Sequence, residues 1–189
     1  MIIVVASVLA VLTVPLSGRS LAPLANLPLR RAWLVWLSIG TQLVITLVPS
    51  FPKALGEPLH LATFVASGAF IWSNRHIRGT LVIAFGAALN LAAIAANGGT
   101  MPASAWAWRT AGFGTLTDGF ENSNVVHSPR LGFLGDVFAI PHGWPLANVF
   151  SVGDVIIVAG VGYFVHRVCR ADPAPEVAAP VVARVPAVQ

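Results

Sequence analysis

The sequence predicts an all-α integral membrane bundle of about five transmembrane helices, with its N-terminus outside, its C-terminus inside and a short interfacial or re-entrant helix in one long external loop. Three observations carry this. With 56% hydrophobic residues, 10% charged residues and a mean hydropathy of +0.79, a globule of 189 residues has little polar surface to solvate. Apolar runs almost without charge alternate with short segments that hold nearly all the arginine. The sign of charge alternates as well. Residues 18–31 and 75–78 hold five arginines and no acid, whereas the other connections combine Lys53, Arg109 and Arg130 with Glu57, Asp118, Glu121 and Asp136. Cytoplasmic loops carry the Lys and Arg excess, so the two basic connections are assigned inside.

The first span is residues 1–16. A cleaved signal peptide is the competing reading, but no Lys or Arg precedes the apolar stretch and no clear small-x-small site follows it. In residues 18–31, Pro23 and Pro28 oppose a long regular helix. The second span, 32–48, opens with Trp33 and Trp36, which suit an interfacial belt, and stops at Pro49. After a near-neutral turn with Lys53 and Glu57, the third span, 58–74, takes Pro58 as its first helical residue, where a missing N–H costs nothing. The basic run Arg75-His76-Ile77-Arg78 ends it. The fourth span, 79–96, closes at Asn97-Gly98-Gly99, residue types that take the left-handed conformation at a helix C-terminus. The fifth, 152–168, ends in Arg167 and Arg170. These elements form one transmembrane domain, 1–170, and residues 171–189, rich in Ala, Pro and Val, read as a disordered cytoplasmic tail. No internal repeat is evident.

The external loop, 97–148, is too long for a mere connector. Trp106, Trp108, Phe113, Phe120, Phe133, Phe138 and Trp144 give it apolar surface to bury. Ser128-Pro129 reads as N-cap and first helical residue, with Leu131, Leu134, Val137 and Phe138 following at helical spacing.

Polar residues gather where this loop meets the last two spans. Asn90 and Asn97, two turns apart, share a face, and Asp154 lies at the same level. With Ser151, Asp136 and His127 or His142 they would line an outward-facing polar pocket between the fourth and fifth spans, binding or translocating a small polar solute or a proton. A plainer reading runs beside this one. Ser151-Val152-Gly153-Asp154 is also a capping box, Asn90 is also a residue that bonds helix to helix, and Gly153 and Gly160 also permit close helix contact. Two other functions fit the composition: an accessory or scaffold subunit docking a membrane-protein partner through the aromatic loop, and an intramembrane enzyme acting on a lipid or prenyl-type substrate with Asp136, Asp154 and a loop histidine as acid and base.

Several classes find no support. The single cysteine, Cys169, allows no disulfide framework. His60, His76, His127, His142 and His166 show no metal-ligand spacing, so neither metal nor cofactor is expected; haem between His76 and His166 is the one arrangement to consider. The pI near 10.6 comes from arginines at the ends of apolar runs, which speaks for a lipid bilayer and against nucleic acid. The expected location is the plasma membrane, multi-pass.

Asn97-Gly98-Gly99-Thr100-Met101-Pro102, Leu134-Gly135-Asp136 and the stretch Asn148-Val149-Phe150-Ser151-Val152-Gly153-Asp154, following a series of apolar spans, give the chain a resemblance to small bacterial, actinobacterial-type multi-span membrane proteins grouped as a domain of unknown function. The likeness covers roughly residues 1–170 and implies no reaction.

Overall fold

The apolar runs contain Leu, Ala, Val and Ile with few interior breakers, and each becomes a helix. In the computed structural model, which describes residues 2–48, 51–114 and 123–170, five long helices are α1 (Ile2–Leu16), α3 (Trp33–Leu47), α4 (Lys53–Ser73), α5 (Thr80–Ala96) and α7 (Val152–Val168). Two short ones, α2 (Ala22–Ala25) and α6 (Ala105–Thr110), lie in connections. The predicted tail, 171–189, and the acids Asp118 and Glu121 lie outside the described residues.

Side-chain contacts set the order and direction of the long helices. Val14 packs with Val165, and Thr13 bonds His166, so α1 runs parallel to α7. Asn90 on α5 meets Asp154 at the start of α7, so that pair is antiparallel. Continuing through α4 to α3, the row reads α1, α7, α5, α4, α3.

The five-span reading does not survive. Among the described residues one helix, Lys53–Ser73, is long and apolar enough to cross a membrane. The other long helices have 15 or 17 residues. At about 1.5 Å rise per residue they extend only about 22–26 Å, short of the roughly 30 Å of a bilayer's hydrocarbon core. A five-span integral bundle with its N-terminus outside is therefore not supported. The start of α4 also differs from expectation. Lys53 and Glu57 occupy its first turns as an i,i+4 ion pair at 3.7 Å, and Pro58 lies inside the helix instead of opening it.

Residues 97–114 and 123–151 form a cap over one end of the row. Strand β1 (Met101–Pro102) pairs in parallel with β2 (Ser123–Asn124), and β3 (Phe138–Ile140) pairs antiparallel with β4 (Asn148–Phe150), where Phe138 and Phe150 stack at 5.3 Å. The interfacial or re-entrant helix expected after Ser128-Pro129 is absent. Ser128 and Leu131 have φ of 52°, which no helical start allows, and only a single 3-10 turn, Gly132–Leu134, follows. The helix of the cap is α6, capped by Ser104 and packed through Ala107 and Ala111 on Val149 of the hairpin. Met101 and Leu134 anchor the cap on Ala93 and Ile94 of α5.

Two asparagines perform one task at opposite ends of the row. Asn74, at the C-terminus of α4, bonds both the N–H and the carbonyl of Arg30, at 2.9 and 2.8 Å, and its own Phe70 carbonyl at 2.8 Å. Asn97, at the C-terminus of α5, does the same to Arg130, at 3.0 and 2.7 Å, and to Ala93 at 2.7 Å. Each arginine precedes a left-handed residue, Arg31 (φ 56°) or Leu131 (φ 52°). The sequences Arg30-Arg31-Ala32-Trp33-Leu34 and Arg130-Leu131-Gly132-Phe133-Leu134 therefore form a short local repeat that the sequence reading did not identify.

Candidate functional site

Helices α5 and α7 meet backbone to backbone because glycine stands at each crossing point. A β-carbon at Gly86 would lie 2.6 Å from the Gly153 carbonyl oxygen, and one at Gly160 would lie 2.9 Å from Ile83. A β-carbon at Gly153 would run into the Asn90 amide. This approach leaves no space for a ligand between the helices at the level of Asn90. It does bring Asn90 against the first turn of α7.

Three side chains there close a ring of hydrogen bonds. Asn90 Nδ2 donates to Asp154 Oδ1 at 2.6 Å, and Ser151 Oγ donates to Asn90 Oδ1 at 2.8 Å. The Ser151 N–H donates to Asp154 Oδ2, and the Asp154 N–H donates to Ser151 Oγ, both at 3.0 Å, completing a capping box. All three residues are buried, Ser151 completely. Asp154 thus caps its own helix and holds α5 at the same time.

Asp154 has a second exposure to its surroundings. It lines a cleft of about 400 Å³ between α1, α7 and the β3–β4 hairpin, whose other walls include Ile3, Ala6, Phe150 and Val158. Asp154 is the one ionisable side chain in that lining. Each carboxylate oxygen accepts one bond from the ring and retains a further acceptor direction. The cleft is therefore an apolar chamber bordered by one buried acidic residue.

Asp136 is buried in the cap, next to this site. Its backbone bridges Pro102 and Ser104, and its carboxylate accepts from Ser123 Oγ. Its carboxyl is pushed up from 3.8 to about 6, chiefly by burial, with the Ser123 hydroxyl pulling down and the charge of Asp154 pushing up. The remaining candidates are elsewhere. Asn97 is engaged by Arg130 in the clamp described above. His127 and His142 are exposed on the cap, and the His142 ring lies over Gly112, where a β-carbon would come within 2.5 Å of Nδ1. Among the described residues, no hydrogen bond joins either histidine side chain to Asp136 or Asp154.

A second polar seam was missed by sequence reasoning. Gln42 Nε2 bonds His60 Nδ1 and Thr63 Oγ1, each at 2.7 Å, and Ser38 Oγ bonds the Thr63 carbonyl at 3.2 Å. Ser67 reaches Ser38. The signal was present: Ser38 and Gln42 are one turn apart on α3, while His60, Thr63 and Ser67 share a face of α4. A hydrogen-bonding seam of this kind carries no metal-ligand spacing. His166, considered for haem, has Nε2 at 2.8 Å from Thr13 Oγ1 and Nδ1 at 3.3 Å from an Arg19 nitrogen, tying α1 to α7.

No curated protein and no solved structure matches this chain. A family of unknown function, DUF5317, does match, over residues 26–166. That stretch runs from the turn before the Arg30 clamp through the cap to His166. It contains Asn90, Asp136, Ser151 and Asp154 together with the glycines of the α5–α7 contact, and on this match the chain belongs to the DUF5317 family.

Proposed function

We propose that the protein is a membrane-associated binding protein whose α1–α7 cleft takes a small amphiphile: an apolar body against Ile3, Ala6, Phe150 and Val158, and a cationic or hydrogen-bond-donating head at Asp154. The observation that carries this is the single buried carboxylate in the wall of an otherwise apolar chamber. An anionic acceptor in such surroundings selects a donor, because any donor it meets there has little competing water. The ring of bonds from Asn90 and Ser151 fixes the carboxylate's orientation before a ligand arrives. Large exposed apolar side chains on four helices, among them Leu9, Trp36, Val65 and Phe85, support lipid contact.

Dodecylamine and dodecanoate, equal in chain length and opposite in head charge, test the reading by calorimetric titration of the full chain. The amine is expected to bind and the carboxylate not. Ala6→Trp, which fills the cleft without touching the ring, should abolish amine binding, and Asp154→Asn should remove the preference for amine. Equal binding of the two probes, or amine binding unchanged in Ala6→Trp, refutes the proposal. A second reading, an accessory subunit docking a partner through the cap, is favoured by the exposure of Trp106, Phe133 and Trp144. It predicts a stoichiometric partner in gentle extracts that Phe133→Ser releases.

A further inference from the structure

The end of the row away from the cap has a character of its own. Arg19 lies on His166, Arg30 is held there by Asn74 with Arg31 next to it in the chain, Arg75 and Arg78 form the α4–α5 connection, and Arg167 and Arg170 end α7. The acids among the described residues, Glu57, Asp136 and Asp154, are all toward the cap. Seven arginines thus stand at one end without an acid among the described residues.

From this basic end an apolar groove of about 220 Å³ runs along the contact of α4 and α5, floored by Gly68, Ala84 and Ala88 and rimmed by Trp72 and Leu81. Gly68 differs from the glycines of the α5–α7 seam. A β-carbon there would meet nothing within 4 Å, so close helix packing does not account for it. It is a helical glycine facing open space in an apolar floor. Trp72 and Leu81 on the rim are largely exposed, at 66% and 58%. Arg75 lies over the Trp72 ring at 4.5 Å from its centre, with one guanidinium nitrogen donating to the Trp72 carbonyl at 2.8 Å. The ring and that bond hold the guanidinium at the groove mouth, leaving other N–H donors of its planar fork for a phosphate.

We propose that this groove is a binding site for an anionic phospholipid, with one acyl chain lying along Gly68, Ala84 and Ala88 and the headgroup phosphate at Arg75, supported by Arg78. Charge complementarity chooses the occupant. An apolar peptide helix or a second copy of this chain, brought by its own basic end, would place like charges together. A zwitterionic lipid would bring a cationic group to the same mouth. The proposal does not depend on the α1–α7 cleft, whose probe carries the opposite charge.

Native mass spectrometry of the detergent-solubilised full chain supplies the test. Dioleoylphosphatidylglycerol and dioleoylphosphatidylcholine are added in equal amounts, with inorganic phosphate as a separate arm. The phosphatidylglycerol adduct should dominate, and Arg75→Gln should reduce its affinity roughly fivefold, the effect of one surface arginine near an anionic lipid. Gly68→Leu, filling the groove, should remove the retained lipid while an unchanged circular dichroism spectrum and melting temperature show that the fold persists. Should Gly68→Leu unfold, Ala88→Leu on the α5 side of the floor replaces it and carries the same expectation. Equal retention of both lipids, loss of the adduct on adding inorganic phosphate alone, a lipid-free dimer in place of the adduct, or full retention in the folded groove-filling variant overturns the proposal.

Discussion

Asn90 uses both ends of its amide, donating to Asp154 and accepting from Ser151, in a place that water barely reaches. Asn90→Ala leaves a carboxylate oxygen and a hydroxyl without their partners. Each such orphan costs about 1–3 kcal/mol, so chemical denaturation should report a loss on the order of 2–6 kcal/mol, whereas Asn97→Ala, at a partly exposed clamp, should lose less. Asp136 makes a prediction about pH. Its folded pKa of about 6 stands above the unfolded 3.8, so between those values the folded state holds more protons than the unfolded one. The stability this gives is fully present below about pH 4 and is lost as pH rises through 6. Asp136→Asn should abolish that portion of the pH dependence, worth on the order of 3 kcal/mol, in melts taken from pH 4 to 7. At this scale the sequence was informative: Asn90, Ser151 and Asp154 stood out because polar side chains in apolar runs need partners. Ser123, which bonds Asp136, gave no such signal, since a serine in a polar loop looks like any other.

The contrast among glycines belongs to the helices. Gly153→Ala should destabilise by about 1–3 kcal/mol through overpacking against Asn90, with Gly160→Ala behaving alike against Ile83. Gly68→Ala, with free space at its β-carbon, should stabilise α4 by about 0.5–1 kcal/mol, and thermal melts of the three variants would separate the two classes. Helix positions were legible because runs of Leu, Ala, Val and Ile end at arginine or glycine, as at Arg75 and Gly98. The start of α4 was not, because Pro58 suits a first turn equally well and nothing in the sequence showed that Lys53 and Glu57 would pair one turn earlier. The cap was harder. Its strands have two or three residues, too few for an alternating pattern, and the helical spacing of Leu131, Leu134 and Phe138 was overridden by left-handed backbone at Ser128 and Leu131.

At the scale of the whole molecule, composition identified an apolar exterior but said little about length. Helices α1 and α3 stop after 15 residues because Gly18 and Pro49 follow them, and this shortness removed the five-span reading. Apolar side chains nevertheless face outward on every long helix: Leu12, Leu43, Val65, Phe85 and Val155 are examples. On the proposal of membrane association, the full chain should float with liposomes in a density gradient. Recovery at the bottom of the gradient, apart from the liposomes, would contradict it. Asn90, Ser151 and Asp154 were legible as neighbours whereas Asn97, His127 and His142 fall elsewhere, and the cleft itself was not legible, because it is formed with α1 and no spacing in the sequence announces that the first helix lies against the last.

The Asn97–Arg130 clamp gives the cap a property distinct from stability. It joins residues 33 apart at a single point, with Met101 and Leu134 seated beside it on α5, so the chain between them leaves the row and returns to the same place. Exposed Arg109 lies on that excursion. A trypsin cut there would sever the backbone yet leave Asn97, Asn90 and Asp154 bridging the two fragments. The nicked protein should therefore migrate as one species under native conditions and as two pieces in denaturant, which makes the cap a natural place to split the chain for fragment complementation.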